Sequence, residues 1–387
     1  MSATILHLIA SNFVGGPEKQ ILHHARDMSG SAFPISIASF KDGPSEPEIL
    51  DVAAASGLPN YSLPGGIRPA ALQGLIQLLK KEKFSILCTH GYKSNFLGRL
   101  ACLSTGTPQV AFVRGWTAET WRVTFYERLE RFALRSVPWV VCVSARQAEQ
   151  LAPSRRGRTQ PIVIPNAILP AFRPIQTSAP LTRSLAGIPP DAFVFGSAGR
   201  LSREKGHRFL LDSFAQLRAL RPEASFFLVL LGEGRELPAL RQQAADLKIS
   251  QHVLFAGFQR DAGQWMRLLD CLVQPSLTEG TPNSVLEALI EKIPVIATAV
   301  GGVPDLITDH KSGLLVPPAD PSAFSAAMLE LYDSPALRVE LSNAAQTLSQ
   351  PYLPETQRRS LIAVYQSVLR QSAHPQPAKE SVHGAAT

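Results

Sequence analysis

PSLTEGTPNSVLEALIEKIPVIATAVGGVPDLI, from Pro275 to Ile307, places two carboxylates, Glu279 and Glu287, eight positions apart across a loop-to-helix junction. Gly280 and Pro282 open the turn, and Pro282 suits the first helical position, where its missing N–H has no partner to lose. The residues from Asn283 to Lys292 then read as a short helix. A helix start offers unpaired backbone N–H groups and a positive dipole end, a setting for a diphosphate. Glu279, on the loop, points where a bound group would sit. Glu287, one turn into the helix, can accept two hydrogen bonds from a cis-diol such as a ribose. Together these features describe a nucleotide-sugar site.

Short apolar strands alternate with helical patterns on both sides of this stretch. FVFGSAGR, SFFLVLLG, HVLFAG, CLVQPS, PVIATA and GLLVPP supply one set. ILHLIA (Ile5 to Ala10), FPISIASF, SILCTH, QVAFVR, PWVVCVS and PIVIPNAI supply an earlier one. Such alternation predicts parallel sheets wrapped by helices. The fold class is α/β, two doubly wound Rossmann-like domains facing a central cleft, with ligands beyond the carboxyl ends of the strands. The expected division is a first domain over 1–174, a linker over 175–190 and a second domain over 191–355. A last helix over 356–370 and a polar, disordered tail over 371–387 complete it.

A chain of 387 residues holds two domains of ordinary size. No apolar run approaches the ~18 to 20 residues of a membrane span, and MSATILHLIA lacks the basic start and cleavage site of a signal peptide. Cys88, Cys102, Cys142 and Cys271 sit in apolar settings without Cys-x-x-Cys spacing, so they read as buried thiols of a reducing cytoplasm. The net charge of +7 is uneven. Residues 1–174 hold 19 Lys and Arg against 11 Asp and Glu, and the remainder 19 against 20. An anionic substrate, an anionic membrane surface and plain solubility all fit this asymmetry. Nucleic acid does not, because the basic residues show no interleaved aromatic pattern and no helix-turn-helix or zinc motif accompanies them.

Arg200 and Lys205, in GRLSREKG, stand five positions apart at a strand-to-helix turn and can clamp a diphosphate without a metal. No Asp-x-Asp motif is present. The GEG at Gly232 to Gly234 lacks the third glycine of a dinucleotide fingerprint, since Leu237 stands there. Gly15 and Gly16 permit close backbone approach before a helix expected from Pro17 to Met28, with Glu18 complementing its dipole. His90 ends the strand SILCT at the functional edge of its sheet.

In order, these segments resemble the family 4 retaining glycosyltransferases of GT-B fold. The likeness rests on the Glu-(seven residues)-Glu pattern and on GRLSREKGHRFLLDSF, LVLLGEGRELPAL, VLFAGFQRD and GLLVPPADP, with GGPEKQI, THG, CVSA and VIPNAI in the first half. It spans roughly residues 4 to 370. The resemblance implies a nucleoside diphosphate sugar donor, retention of configuration and no metal cofactor. Arg200 and Lys205 would hold the donor phosphates. The donor site would further comprise Gly15, Gly16, Gly232, Glu279, Gly280, Thr281, Asn283, Ser284, Val285 and Glu287. His90 would face the donor sugar, with Glu279, Arg200 and Lys205 beside the reaction. Phe258 fits a base contact and plain packing alike. The last helix would cross back to the first domain. The implied setting is bacterial cell-surface polysaccharide or glycolipid assembly in the cytoplasm, at the inner membrane face.

Four positions in three segments depart from the family's pattern. Arg114–Gly115 stands where relatives carry His–Gly, so an anionic acceptor or a buried salt bridge fits Arg114. In VIPNAI, Ala167 replaces Gly and Leu169 replaces Asp, at the hinge. Asp305 stands in place of Glu and reads equally as a helix cap. The stretch bearing Trp116, Trp121, Arg122, Phe125, Tyr126, Arg128, Arg131, Phe132 and Arg135 reads first as an aromatic core stripe and second as a membrane-surface patch. Alternatives to glycosyl transfer are a nucleotide-sugar epimerase, transfer to a small soluble acceptor, and a catalytically silent binding module.

Overall fold

The computed structural model describes residues 3–114, 121–155, 159–169, 180–259, 261–348 and 350–373. The first half builds a seven-stranded parallel sheet: β1 (Ile5–Ile9), β2 (Ile35–Lys41), β3 (Asn60–Pro64), β4 (Ile86–His90), β5 (Gln109–Val113), β6 (Trp139–Cys142) and β7 (Ile162–Val163). Their order is β3-β2-β1-β4-β5-β6-β7. The second half contributes β8 (Phe193–Ala198), β9 (Phe226–Leu231), β10 (Val253–Gly257), β11 (Cys271–Gln274), β12 (Val295–Thr298) and β13 (Leu314–Val316), ordered β10-β9-β8-β11-β12-β13. Helices cover both faces of such sheets, so the central strands are continuous apolar runs; β1, β4, β5, β9 and β11 are buried along their whole length. In each sheet the order reverses beside the first strand, between β1 and β4 and between β8 and β11. A crevice opens at such a switch point. The Gly15–Gly16 loop and His90 lie at the first switch point, and Arg200, Lys205 and Glu279 at the second.

Several expectations are corrected. β3 is an additional edge strand; NYSLP ends in proline and is only part-buried, so its apolar signal is weak. Of PIVIPNAI only Ile162–Val163 pairs as strand. The helix after Glu279 spans Asn283–Ile290, with Pro282 outside it as N-cap, because its ψ of 118° is extended. It stops before Lys292 because that residue is left-handed at φ 56°. There Ile293 N–H donates to Ala288 C=O and Lys292 N–H to Leu289 C=O, the bond pair of a Schellman stop. The first helix runs Gly16–Asp27 and is capped by Glu18, whose carboxylate accepts from Gly15 N–H at 2.9 Å.

Residues 180–190, expected as linker, pack on the second domain. Ile188 joins its core, and Arg183 donates to Leu268 C=O, Ala192 C=O and the Asp270 carboxylate. The last helix, Pro354–Ala373, lies on the first domain: Leu361, Val364, Tyr365 and Val368 complete the core that contains Ile5, Ile37 and Ile86. Tyr352, just before it, belongs to the second core and accepts through its C=O from Ile168 N–H at 2.7 Å.

Candidate active site

Three strand-end loops of the second domain stack backbone on backbone. A Cβ at Gly232 (φ 136°) would stand 1.9 Å from Gly199 O, one at Gly234 2.1 Å from Leu201 O, and one at Gly206 (φ 68°) 2.1 Å from Pro275 O. The glycines are therefore required by chain approach rather than by a dinucleotide. Leu201 N–H donates to Glu233 C=O, and Leu277 N–H to Glu204 C=O. This stack aims Lys205 along Gly199, with its ammonium 2.6 Å from Glu279 Oε1. Arg200 is half-exposed at the rim, 3.9 Å from Glu204.

The two glutamates differ in kind. Glu279 is turned inward. Its Oε1 accepts from Lys205, from Gln274 Nε2 at 2.8 Å and from Ser276 Oγ at 2.6 Å. It does not stand free on the loop, because three donors converge on it. The Glu287 carboxylate accepts no hydrogen bond from any described residue. Burial raises its pKa above the usual carboxylate range, opposed by Lys19 on the first helix and reinforced by Asp261.

Both domains meet at the start of the Asn283–Ile290 helix. Gly280 lies so close to the first domain that a Cβ would be 2.5 Å from Arg114 O and 3.0 Å from Val143 Cγ2. A Cβ at Gly16 would stand 2.1 Å from Asn283 Nδ2. Gln20 donates to Asn283 Oδ1 at 3.3 Å, and Asn166 Nδ2 to Thr281 C=O at 3.0 Å. The Thr281 hydroxyl donates to Val143 C=O. Thr281 thus commits its hydroxyl proton to the other domain and keeps only acceptor capacity. Ser284 Oγ donates to Gln274 Oε1 at 2.9 Å, and Val285 is wholly buried, so only its backbone is available. Asp305 is a cap, but of the opposite domain: its Oδ2 accepts from Ala145 N–H at 3.3 Å, at the start of the Ala145–Leu151 helix. Phe258 stands 46% exposed beyond β10 rather than packed.

His90 is buried, stacked on Phe112 with ring centroids 4.5 Å apart. Its Nε2 lies 3.0 Å from His7 Nδ1 and its Nδ1 3.4 Å from Arg114 Nη2, so neither ring nitrogen is free to face a sugar. Arg114 also donates from Nη1 to Asn166 Oδ1 at 2.8 Å. It makes no salt bridge with a described residue, and its Nε is buried without a hydrogen-bond partner. Burial lowers its pKa to about 10, with Glu18 opposing. Arg114, His90, His7, Gln20 and Asn166 line one small cavity. The sequence reading passed over Gln20, which grips the Ala167 peptide through both amide atoms at 2.7 and 2.9 Å, and also His7, His24 and Tyr365. The available signal was a histidine inside the apolar run ILHLI and a tyrosine on the buried face of the last helix.

On the Trp121–Leu134 helix Phe125 and Phe132 are 53% and 68% exposed, so these two aromatics are not core. Glu130, Ala133 and Leu134 face inward instead. Trp116 and the side chains of Trp121 and Arg122 lie outside the described residues. Arg128, Arg131 and Arg135 are exposed beside the two phenylalanines, and Leu100 and Leu103 emerge on the adjacent Tyr92–Thr105 helix. The four cysteines are buried and free.

Two family models cover most of the chain: a glycosyl transferase 4-like domain over residues 15–167 and glycosyl transferases group 1 over 192–334. The chain belongs to the GT-B glycosyltransferases. This glycosyltransferase is 27% identical, over 88% of its length and 90% of the relative's, to the UDP-Gal:alpha-D-GlcNAc-diphosphoundecaprenol alpha-1,3-galactosyltransferase of Escherichia coli. It is 28% identical to a D-inositol 3-phosphate glycosyltransferase of Streptomyces avermitilis, over 83% and 74% of the two chains. Its fold matches Anabaena Alr3699/HepE in complex with UDP-glucose at a TM-score of 0.80, with 19% identity over 94% of this chain and 99% of that one.

Proposed function

We propose that the chain moves a sugar from a nucleoside diphosphate donor to a phosphate-bearing, lipid-linked or glycan acceptor, with retention of configuration and without a bound metal. The observation that carries the reading is the contrast between the two glutamates: Glu279 tied to Lys205 at the strand-end stack, Glu287 with a carboxylate that accepts no hydrogen bond from a described residue. Glu287 then accepts from the ribose hydroxyls. Arg200 and Lys205 meet the charge that grows on the departing diphosphate, a stabilisation larger at the transition state than in the ground state. Glu279 orients Lys205 and lies beside the transferring sugar. The backbone N–H groups of Ser284 and Val285 complete the phosphate cradle. The acceptor enters on the side of Arg114. Both relatives named above have a phosphate or diphosphate in the acceptor their names give. The setting that fits is bacterial cell-surface polysaccharide or glycolipid assembly, with the exposed Phe125, Phe132 and arginine face resting on an anionic membrane.

A thermal-shift screen against UDP, GDP, ADP and CMP and their sugars tests the donor, since a ligand that binds the native state raises the melting temperature. Product analysis with the donor that shifts it then decides the rest. Transfer to a polyprenyl diphosphate-linked sugar with the anomeric configuration kept supports the reading. An epimerised nucleotide sugar formed without acceptor would replace it.

A further inference from the structure

Five side chains from five segments form one hydrogen-bonded path through the first domain. It runs from Arg114 Nη2 to His90 Nδ1 (3.4 Å), from His90 Nε2 to His7 Nδ1 (3.0 Å), from His7 Nε2 to Tyr365 Oη (3.1 Å), and from Tyr365 Oη to His24 Nε2 (3.0 Å). The path has a direction. A guanidinium only donates, so His90 Nδ1 must accept, which leaves the His90 proton on Nε2. His7 Nδ1 must then accept from His90, and its own proton lies on Nε2, aimed at the tyrosine oxygen. Tyr365 donates its O–H to His24 Nε2. The neighbouring Cys88 thiol is the weaker competing acceptor. Burial lowers the pKa of His7, His24 and His90, so each ring is neutral and must choose one tautomer.

The opposite order would put an N–H of His90 against the guanidinium. Asn166 is fixed in the same way. Its amide nitrogen donates to Thr281 C=O, so its oxygen faces Arg114. Arg114 is thus held by two neutral acceptors, with the Nε–H unpartnered and no salt bridge to a described residue, while the Glu18 carboxylate nearby favours its charged form. We propose that this one-way path makes Tyr365, His7 and His24 positioning residues for Arg114, holding it through neutral acceptors, its hydrogen-bonding capacity not spent on a carboxylate, for the acceptor's phosphate. The role assigned to Arg114 rests on the glycosyl-transfer reading; the direction of the path does not.

The test uses full-length protein with ¹⁵N-labelled histidine, and long-range ¹H–¹⁵N spectra at pH 7 read the tautomers. His7 and His90 are expected as neutral Nε2–H forms and His24 as Nδ1–H. Turnover is then measured with UDP-glucose or UDP-galactose, whichever raises the melting temperature, and the acceptor it modifies. Tyr365→Phe is expected to lose about tenfold or more in kcat with the donor KM within about twofold. His24→Gln, whose amide oxygen still accepts from Tyr365, keeps the His7 and His90 tautomers and most of the turnover, whereas His24→Leu loses both. If Tyr365→Phe does not fold, the His24 pair carries the comparison. Any other tautomer at His7 or His90 in the wild type overturns the path, as does a folded Tyr365→Phe with wild-type kcat. The expected tautomers in a protein that transfers no sugar would overturn the glycosyl-transfer reading and leave the path standing.

Discussion

Single residues divide the labour of the second domain. Glu279 has three donors on one oxygen, and Glu287 has a carboxylate with none among the described residues. Glu287→Gln is expected to raise the donor KM with a smaller change in kcat, and Glu279→Gln to depress kcat more than KM; steady-state kinetics with varied donor reads the difference, and the reverse pattern would exchange the two roles. On the proposed reading, Arg200→Ala and Lys205→Ala each remove a charge-assisted phosphate contact, which is expected to cost about 2 to 3 kcal/mol in nucleoside diphosphate binding by calorimetry. If these side chains supply the cations, as proposed, turnover persists in excess chelator, and strict dependence on added Mg²⁺ would contradict that assignment. These four residues were legible in the sequence because polar side chains and glycines at strand ends break otherwise apolar runs. Their partners were less so. That Glu279 faces Lys205 is a contact over 74 positions, and that Thr281 serves the opposite domain depends on closure of the cleft. Spacing along one chain encodes neither.

Among elements, the start of the Asn283–Ile290 helix docks the first domain through Gly280, and on the proposed reading it also offers N–H groups to the donor. Gly280→Ala puts a methyl 2.5 Å from Arg114 O, so the domains must separate slightly to admit it. The expected result is a donor KM raised severalfold with the melting temperature nearly unchanged, since neither core is touched. A fall of many degrees would mean the glycine serves its own domain's fold. The Trp121–Leu134 helix shows how periodicity misleads. Its aromatic stripe has helical spacing, yet Phe125 and Phe132 face solvent, because Asn95 donates to Glu130 and draws the polar flank inward. An exposed apolar stripe flanked by Arg128 and Arg131 is expected to bind anionic vesicles at low salt and release them at high salt. Arg128→Glu with Arg131→Glu should abolish co-sedimentation. If the wild type ignores such vesicles at low ionic strength, a soluble acceptor is the better assignment. β3 was missed for a related reason, since a part-buried edge strand ending in proline carries half the signal of β1.

At the scale of the molecule, buried neutral histidines link stability to pH. His24 and His207 have pKa values lowered to about 3 by burial, and His7 and His90 are lowered as well. Below the unfolded value near 6.5 the unfolded chain gains protons that the native state refuses. Stability is therefore full above pH ~6.5 and is lost as pH falls toward 3, by up to about 1.4 kcal/mol per pH unit for each such histidine. Urea titrations at pH 7.5 and 5.5 should show this loss, and His207→Leu should reduce the slope; equal stabilities would show that the rings protonate in place. The two-domain α/β plan was readable from alternating strands and helices, whereas the packing of residues 180–190 on the second domain was hidden by a linker-like composition. The return of the Pro354–Ala373 helix to the first domain has a consequence for biosynthesis. The second domain is in effect an insertion within the first. A ribosome releases the second domain's strands and helices while the first still lacks Leu361, Tyr365 and Val368, so the half of the protein made first is the last to be completed. A released chain that ends after residue 353 should carry a protease-resistant second domain and a first domain that is still cut.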